Sequence, residues 1–283
     1  MSSCERKVSE SCESALIPQD PRDWEENSLL KQNYNLNLEE LKERLLEKGV
    51  CGDVSLDDTV YVYIVRTTRV NYCWCSNSHV ITQWGCAPNF EGGIITLTNC
   101  KHDMRCSSNL KSCFNSGKLW IAGITTKDEN RNPLQKNFLF YLMKVDNYYK
   151  IIDSFYDIWD IFGQVSKIRD KKDACNNPLG DLYRPKSDCN FDVGNDKWNP
   201  NCYNSPSRNH VHSSTWKNDI TYACKNGNRP LLLIGENPFI GKRKGRKCFN
   251  SYLWTVPKIE FTLDDIRQGY RKMSLKDFIL YLK

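Results

Sequence analysis

Histidine is scarce in this chain, with four in 283 residues, and the familiar catalytic signatures are missing. There is no Gly-x-x-x-x-Gly-Lys-Ser/Thr phosphate loop and no Gly-x-Gly-x-x-Gly following a strand. There is also no His-Glu-x-x-His pair and no Gly-x-Ser-x-Gly elbow. General-base candidates therefore reduce to His79, His102, His210, His212 and the carboxylates. No apolar run approaches the roughly 20 residues that a membrane span needs. Residues 1–20 lack the basic-then-apolar order of a secretion signal. These absences lead to the expectation of an intracellular protein, cytoplasmic or nuclear, with no membrane partner. The net charge of +6 permits a polyanionic partner without requiring one.

Cysteine is abundant, at fourteen residues. Without an export signal, reduced thiols are expected rather than a disulfide framework. Cys73, Cys75 and His79, and separately Cys100, His102, Cys106 and Cys113, supply zinc-ligand types. They lack the paired Cys-x(2–4)-Cys knuckles of structural zinc sites, so no metal and no cofactor is expected.

Residues 1–35 are polar, with scattered Pro, and read as a disordered or loosely docked leader. Leu38, Leu41, Leu45 and Leu46 recur at helical spacing over 36–47, and Gly49 stops that helix. Strand chemistry follows at 60–70 (VYVYIVRTTRV), 79–84, 94–98, 119–125, 138–145, 231–234 and 253–256, separated by Asn-, Ser-, Gly- and Pro-rich turns. Short strands with turn-rich separators predict an α+β fold: a β-barrel-like, curved sheet with peripheral helices. A helix over 153–164 carries a stripe of Phe155, Ile158, Trp159 and Phe162 that reads as core. Residues 169–208 form a polar stretch, functional or partly disordered. Two short C-terminal helices are expected after the Thr262–Asp265 and Ser274–Asp277 capping patterns. The domain reading is a main β-rich domain over 36–256 and a helical appendage over 257–283.

Three constellations could carry function. In the first, a strand leads to the polar turn Cys100–Arg105 and a second apolar strand leaves it at Gly117–Gly123. Lys101 and Arg105 are four residues apart, so one helical turn would aim both at a single phosphate, with Arg giving a two-pronged contact. The alternative is an exposed turn with solvated charges. The second is His210-Val211-His212 followed by Asp219, where a carboxylate could orient an imidazole. The third is the basic run Lys242, Arg243, Lys244, Arg246 and Lys247. It could follow a nucleic-acid backbone with salt-sensitive affinity, or be a solvated hairpin loop or an import address.

The ordered motifs Ala87-Pro88-Asn89, Leu97-Thr98-x-Cys100-Lys101-x-x-x-Arg105 and Gly117-x-x-Trp120-Ile121-x-Gly123 resemble the second type of nucleotide-modification-associated domain. The likeness continues through Tyr141–Val145, Gly180–Pro185, His212-Ser213 to Asp219, Leu232–Ile234 and Phe239–Gly241. That family occurs in phage and bacterial neighbourhoods that hypermodify DNA bases. The resemblance implies a PUA-like barrel and a nucleotide or nucleic-acid partner, DNA in particular. Its motif positions offer Asn89, Cys100, Lys101, Arg105, Trp120, Asp181 and Tyr183 as ligand-binding residues. Trp74 or Trp84 is an alternative stacking wall to Trp120, and Tyr183 is a residue that could stack on a base. The chain departs from the family pattern at His102, which stands in place of proline, at Lys118, in place of aspartate, and at Ile240, in place of an aromatic. The implied function is a module recognising a modified base or nucleotide. The alternatives are an enzyme on the same ligands, with His212 as acid/base and Asp219 orienting it, and a viral or structural protein that kept the fold.

Overall fold

Apolar and aromatic runs build the interior of the protein. The computed structural model describes residues 33–46, 53–83, 87–90, 94–162, 183–192, 195–204, 216–236, 249–263, 266 and 269–283. Their helices are α1 (Leu38–Leu46), α2 (His102–Arg105), α3 (Ser108–Asn115), α4 (Phe155–Phe162), α5 (Trp216–Thr221) and α6 (Leu275–Leu280). Their strands are β1 (Thr59–Ile64), β2 (Thr68–Cys73), β3 (Ser78–Gln83), β4 (Thr96–Leu97), β5 (Leu119–Ile124), β6 (Leu139–Lys144), β7 (Leu233–Ile234), β8 (Ser251–Leu253) and β9 (Arg271–Ser274). The fold is mixed α+β. The chain divides into two compact units: Met1–Trp84 with Ser116–Val145 and Gly235–Lys283, and Gly85–Asn115 with Asp146–Ile234.

The first unit is organised by a five-stranded sheet of order β8-β6-β5-β1-β9, with β1 and β5 parallel and the other pairs antiparallel. The β8 edge is continued by residues 33–35, where Tyr34 bridges to Leu253 and Asn35 N donates to Leu253 O (2.9 Å). The barrel-like closure expected from the short strands is absent among the described residues, because the remaining pairings, β2 with β3 and β4 with β7, are separate two-stranded ribbons. β5 and β6 are buried at every position, as strands covered on both faces must be. Val60, Val62, Trp120 and Leu142 of the sheet share a core with Leu41 and Leu45 of α1 and with Leu275 and Phe278 of α6. Gly123 permits the closest approach, since a Cβ there would run into the Tyr141 ring and Val65.

Two details differ from the sequence expectation. The single strand predicted over 60–70 is two strands. Thr68 breaks it, its backbone N–H (3.1 Å) and its hydroxyl (2.7 Å) both donating to the Val65 carbonyl. Near the C-terminus, Thr262 and Leu263 are not helical, and Arg271–Ser274 is an edge strand on β1. The second capping pattern does start a helix. Ser274 Oγ accepts from Asp277 N (3.0 Å) and donates to Asp277 Oδ2 (2.7 Å), so the shorter Asp reaches the serine hydroxyl.

Buried under the same sheet is an ion pair. Asp58 Oδ2 lies 3.5 Å from Lys144 Nζ, with the two side chains only 2% and 4% exposed. It also accepts from Trp120 Nε1 (2.9 Å), and Lys144 further donates to the Asp53 carbonyl.

The second unit relies on aromatic packing and covalent ties. Phe155, Tyr183, Phe191, Tyr203, Trp216 and Ile220 form its core with Cys202. Part of the polar 169–208 stretch is therefore folded structure, and residues 163–182 lie outside the described set. Disulfides join Cys106 to Cys224 and Cys189 to Cys202 here, and Cys73 to Cys75 in the first unit. The expectation of reduced thiols is corrected at these six positions. Pairing is a matter of spatial approach, which spacing along the chain does not encode.

Candidate functional site

Cys100 and Lys101 both adopt left-handed backbone, with φ of 52° and 50°. For residues with a Cβ this costs about 1–3 kcal/mol each and persists only where neighbours enforce it. Arg105 is such a neighbour. It is 2% exposed, its Nε donates to Cys100 O (2.9 Å) and its Nη1 to Leu231 O (2.7 Å). Its guanidinium thus ties the reversal to the β7 side of the unit. Lys101 stands outside α2 as its N-cap, so the same-face helical spacing expected of Lys101 and Arg105 does not apply.

Arg105 also lines a small, partly open cleft within the second unit. Phe155, Trp198 and Tyr222 supply aromatic surface, and Asp153, Asp219 and Arg229 supply charge. Asp153, Phe155 and Arg229 are placed by local rules. Ser154 and Asp157 form a reciprocal cap at the start of α4, Ser154 N donating to Asp157 Oδ2 (3.1 Å) and Asp157 N to Ser154 Oγ (3.3 Å). This sets Asp153 and Phe155 at the cleft. Arg229 Nη1 donates to the carbonyls of Ile220, Thr221 and Tyr222 (3.4, 2.6 and 3.0 Å), capping the end of α5 with the charge its dipole favours. Its guanidinium carbon lies 5.4 Å from the Trp198 ring centroid.

Asp219 is the junction of the site. Its Oδ2 accepts from the Tyr183 hydroxyl (2.9 Å), and its Oδ1 lies 3.2 Å from His102 Nε2. The His102 ring stacks on Tyr222 with centroids 4.1 Å apart and planes at 12°. Burial, then hydrogen bonding and repulsion from Asp157, holds the Asp153 carboxyl above its usual range. At Asp157 burial also acts upward, but hydrogen bonds from Asp153, Lys197 and Ser154 outweigh it and hold that group below the usual range.

The structure brings Arg105, Tyr183 and Asp219 together and leaves other candidates elsewhere. Tyr183 is fully buried, so it braces Asp219 and offers no face for stacking. Trp120 is a core residue of the first unit. Trp74 is 78% exposed at the β2–β3 turn. Asn89 is buried and its backbone pairs with Thr96; Cys100 is half-buried. His212, Asp181, Trp84 and the run Lys242, Arg243, Lys244, Arg246 and Lys247 lie outside the described residues. Sequence reasoning missed Trp198, Tyr222 and Arg229, and although it counted His102 among the general-base candidates, the zinc-ligand types and the departures from a family pattern, it did not pair His102 with Asp219. That departure was the available signal.

Among the described residues one trio of ligand-type atoms, from Cys189, Asp196 and Cys202, lies within 4.8 Å. Its two sulfurs are bonded to each other, so they present no thiolate to a metal. No helix among the described residues is long and apolar enough to cross a membrane.

No family model, curated protein or solved structure matches the chain.

Proposed function

We propose that this protein is a nucleotide- or nucleic-acid-binding module associated with DNA base modification, and that the cleft of the second unit seats one base or nucleotide. The observation that carries this is a set of donors lacking acceptors. Trp198 lines the cleft, and its Nε1, shielded from solvent, has no hydrogen-bond partner among the described residues, so a turn of the ring would present it to a ligand. Among the described residues, the hydrogen bonds of Arg229 all leave from Nη1. A buried donor without an acceptor costs about 1–3 kcal/mol, which a ligand oxygen would recover. Tyr183 and Asp219, two positions carrying the family resemblance, meet at this cleft.

The PUA-like assignment and the preference for DNA belong to the same proposal and rest on motif order. So does backbone contact by the 242–247 run. An intracellular setting, cytoplasmic or nuclear, is part of the same proposal. The three disulfides weigh the other way, because a reducing pool opposes them.

Titration calorimetry with nucleoside monophosphates tests the reading. Binding is expected, and W198F, which keeps an aromatic ring and removes the Nε1 donor, should weaken it by about 1–2 kcal/mol. Absence of binding by every nucleotide at millimolar concentration would overturn the proposal.

A second reading, an enzyme on the same ligands, is favoured by the Tyr183–Asp219–His102 series of contacts. It has the order of an oriented acid/base, with His102 in the place expected of His212. H102Q is then expected to abolish turnover of a nucleotide or base-modified DNA while nucleotide affinity is retained. Equal loss of both would leave the binding module alone standing.

A further inference from the structure

Asp219 is built as an acceptor. Its side chain is 12% exposed and lines the cleft. Tyr183, fully buried in the aromatic core, donates to one oxygen from behind (2.9 Å), and His102 Nε2 stands 3.2 Å from the other. Tyr183 is itself held by Asn99, whose Nδ2 donates to the tyrosine oxygen (3.4 Å), and His102 is held by its stack on Tyr222. A carboxylate carries about four lone-pair positions, and these two neighbours engage only part of them. The oxygens are therefore fixed in place and still able to accept from the cleft side, the arrangement that makes a recognition group selective.

The opposite requirement is met elsewhere in the same cleft. Trp198 Nε1 and the guanidinium of Arg229 are donors, suited to phosphate or carbonyl oxygens. A ligand that satisfies both sets must offer N–H groups at one end and oxygens at the other. Cytosine presents its N4 amino group, adenine its N6 amino group and guanine its N2 amino group. Uracil and hypoxanthine present a carbonyl or a bare carbon at the corresponding positions. A carbonyl facing Asp219 would set two acceptors against each other and leave both desolvated.

From this we infer that the cleft reads the donor edge of an amino-bearing nucleobase, with Asp219 as the reading group and Tyr183 and His102 as positioning residues. The inference rests on the nucleotide reading above and narrows its ligand class.

Two ligand pairs isolate the amino group: CMP against UMP, and GMP against IMP. Calorimetry on the full chain, disulfides intact, is expected to show CMP or GMP binding about tenfold or more tighter than its partner, the scale of one good base-edge contact. D219N should bring the tighter ligand down to the level of its partner and leave the weaker one unchanged. Y183F, which removes the brace and keeps the carboxylate, should retain a preference for the amino-bearing member. Equal affinity within both pairs would overturn the donor-edge inference and leave the nucleotide reading in place. Binding by none of the four, nor by AMP, would overturn both. A D219N chain that loses all four ligands equally, while still folded by circular dichroism, would make Asp219 a structural support and also sink the inference. The wild-type comparison decides the matter where D219N does not fold.

Discussion

Replacing both Cys106 and Cys224 by serine is expected to remove about 4–5 kcal/mol of stability, the chain-entropy value for closing a loop of this size. The bridged residues are 118 positions apart, so the cross-link restricts much of the unfolded chain. The position matters as much as the length. Cys106 caps α2, which carries His102, and Cys224 follows Tyr222 by two residues. The bridge therefore joins the two segments whose side chains make the His102–Asp219 and His102–Tyr222 contacts. Urea denaturation followed by tryptophan fluorescence, with and without reductant, measures the effect. An unbridged chain whose midpoint matches wild type, and whose wild-type counterpart ignores reductant, would contradict it. Nucleotide affinity should fall alongside stability, because the cleft depends on the same two segments.

In the first unit, D58A is expected to cost about 3–5 kcal/mol, the range for removing one partner of a buried ion pair. The loss would leave the Lys144 ammonium in the interior without a counter-charge and the Trp120 indole without its acceptor. K144M alone should be costly for the converse reason. The double variant D58L/K144M should recover much of the loss, since well-packed apolar replacements of a buried pair are often neutral. Equilibrium unfolding of the three variants separates the cases. A D58A cost under about 1 kcal/mol would mean that water reaches the pair.

The secondary structure was legible where one period dominated. The leucines of α1, the aromatic stripe of α4 and the apolar runs of β5 and β6 each announce their element. It was illegible where composition and conformation part company. β1 and β2 share β-branched and aromatic residues across their junction, and the turn between them carries no Gly, Pro or Asn. β9 reads Arg-Lys-Met-Ser, which has no strand character of its own; pairing with β1 makes it a strand. The site shows the same division. Asp219 was named from sequence as an orienting carboxylate, but the imidazole beside it belongs to a segment far away in the chain. Trp198 looked like part of a polar loop because its packing partners are distant, and Arg105 looked like a ligand contact because spacing along a chain says nothing of burial.

The order of strands in the five-stranded sheet also governs the timing of assembly. β1 lies between β5 and β9, so residues 59–64 find one neighbour among residues 119–124 and the other among residues 271–274. On the ribosome the earliest strand of the sheet must wait for the latest, with its backbone donors and acceptors unpaired on one side for most of synthesis. The long span between its neighbours leaves β1 open to mispairing while the chain is being made.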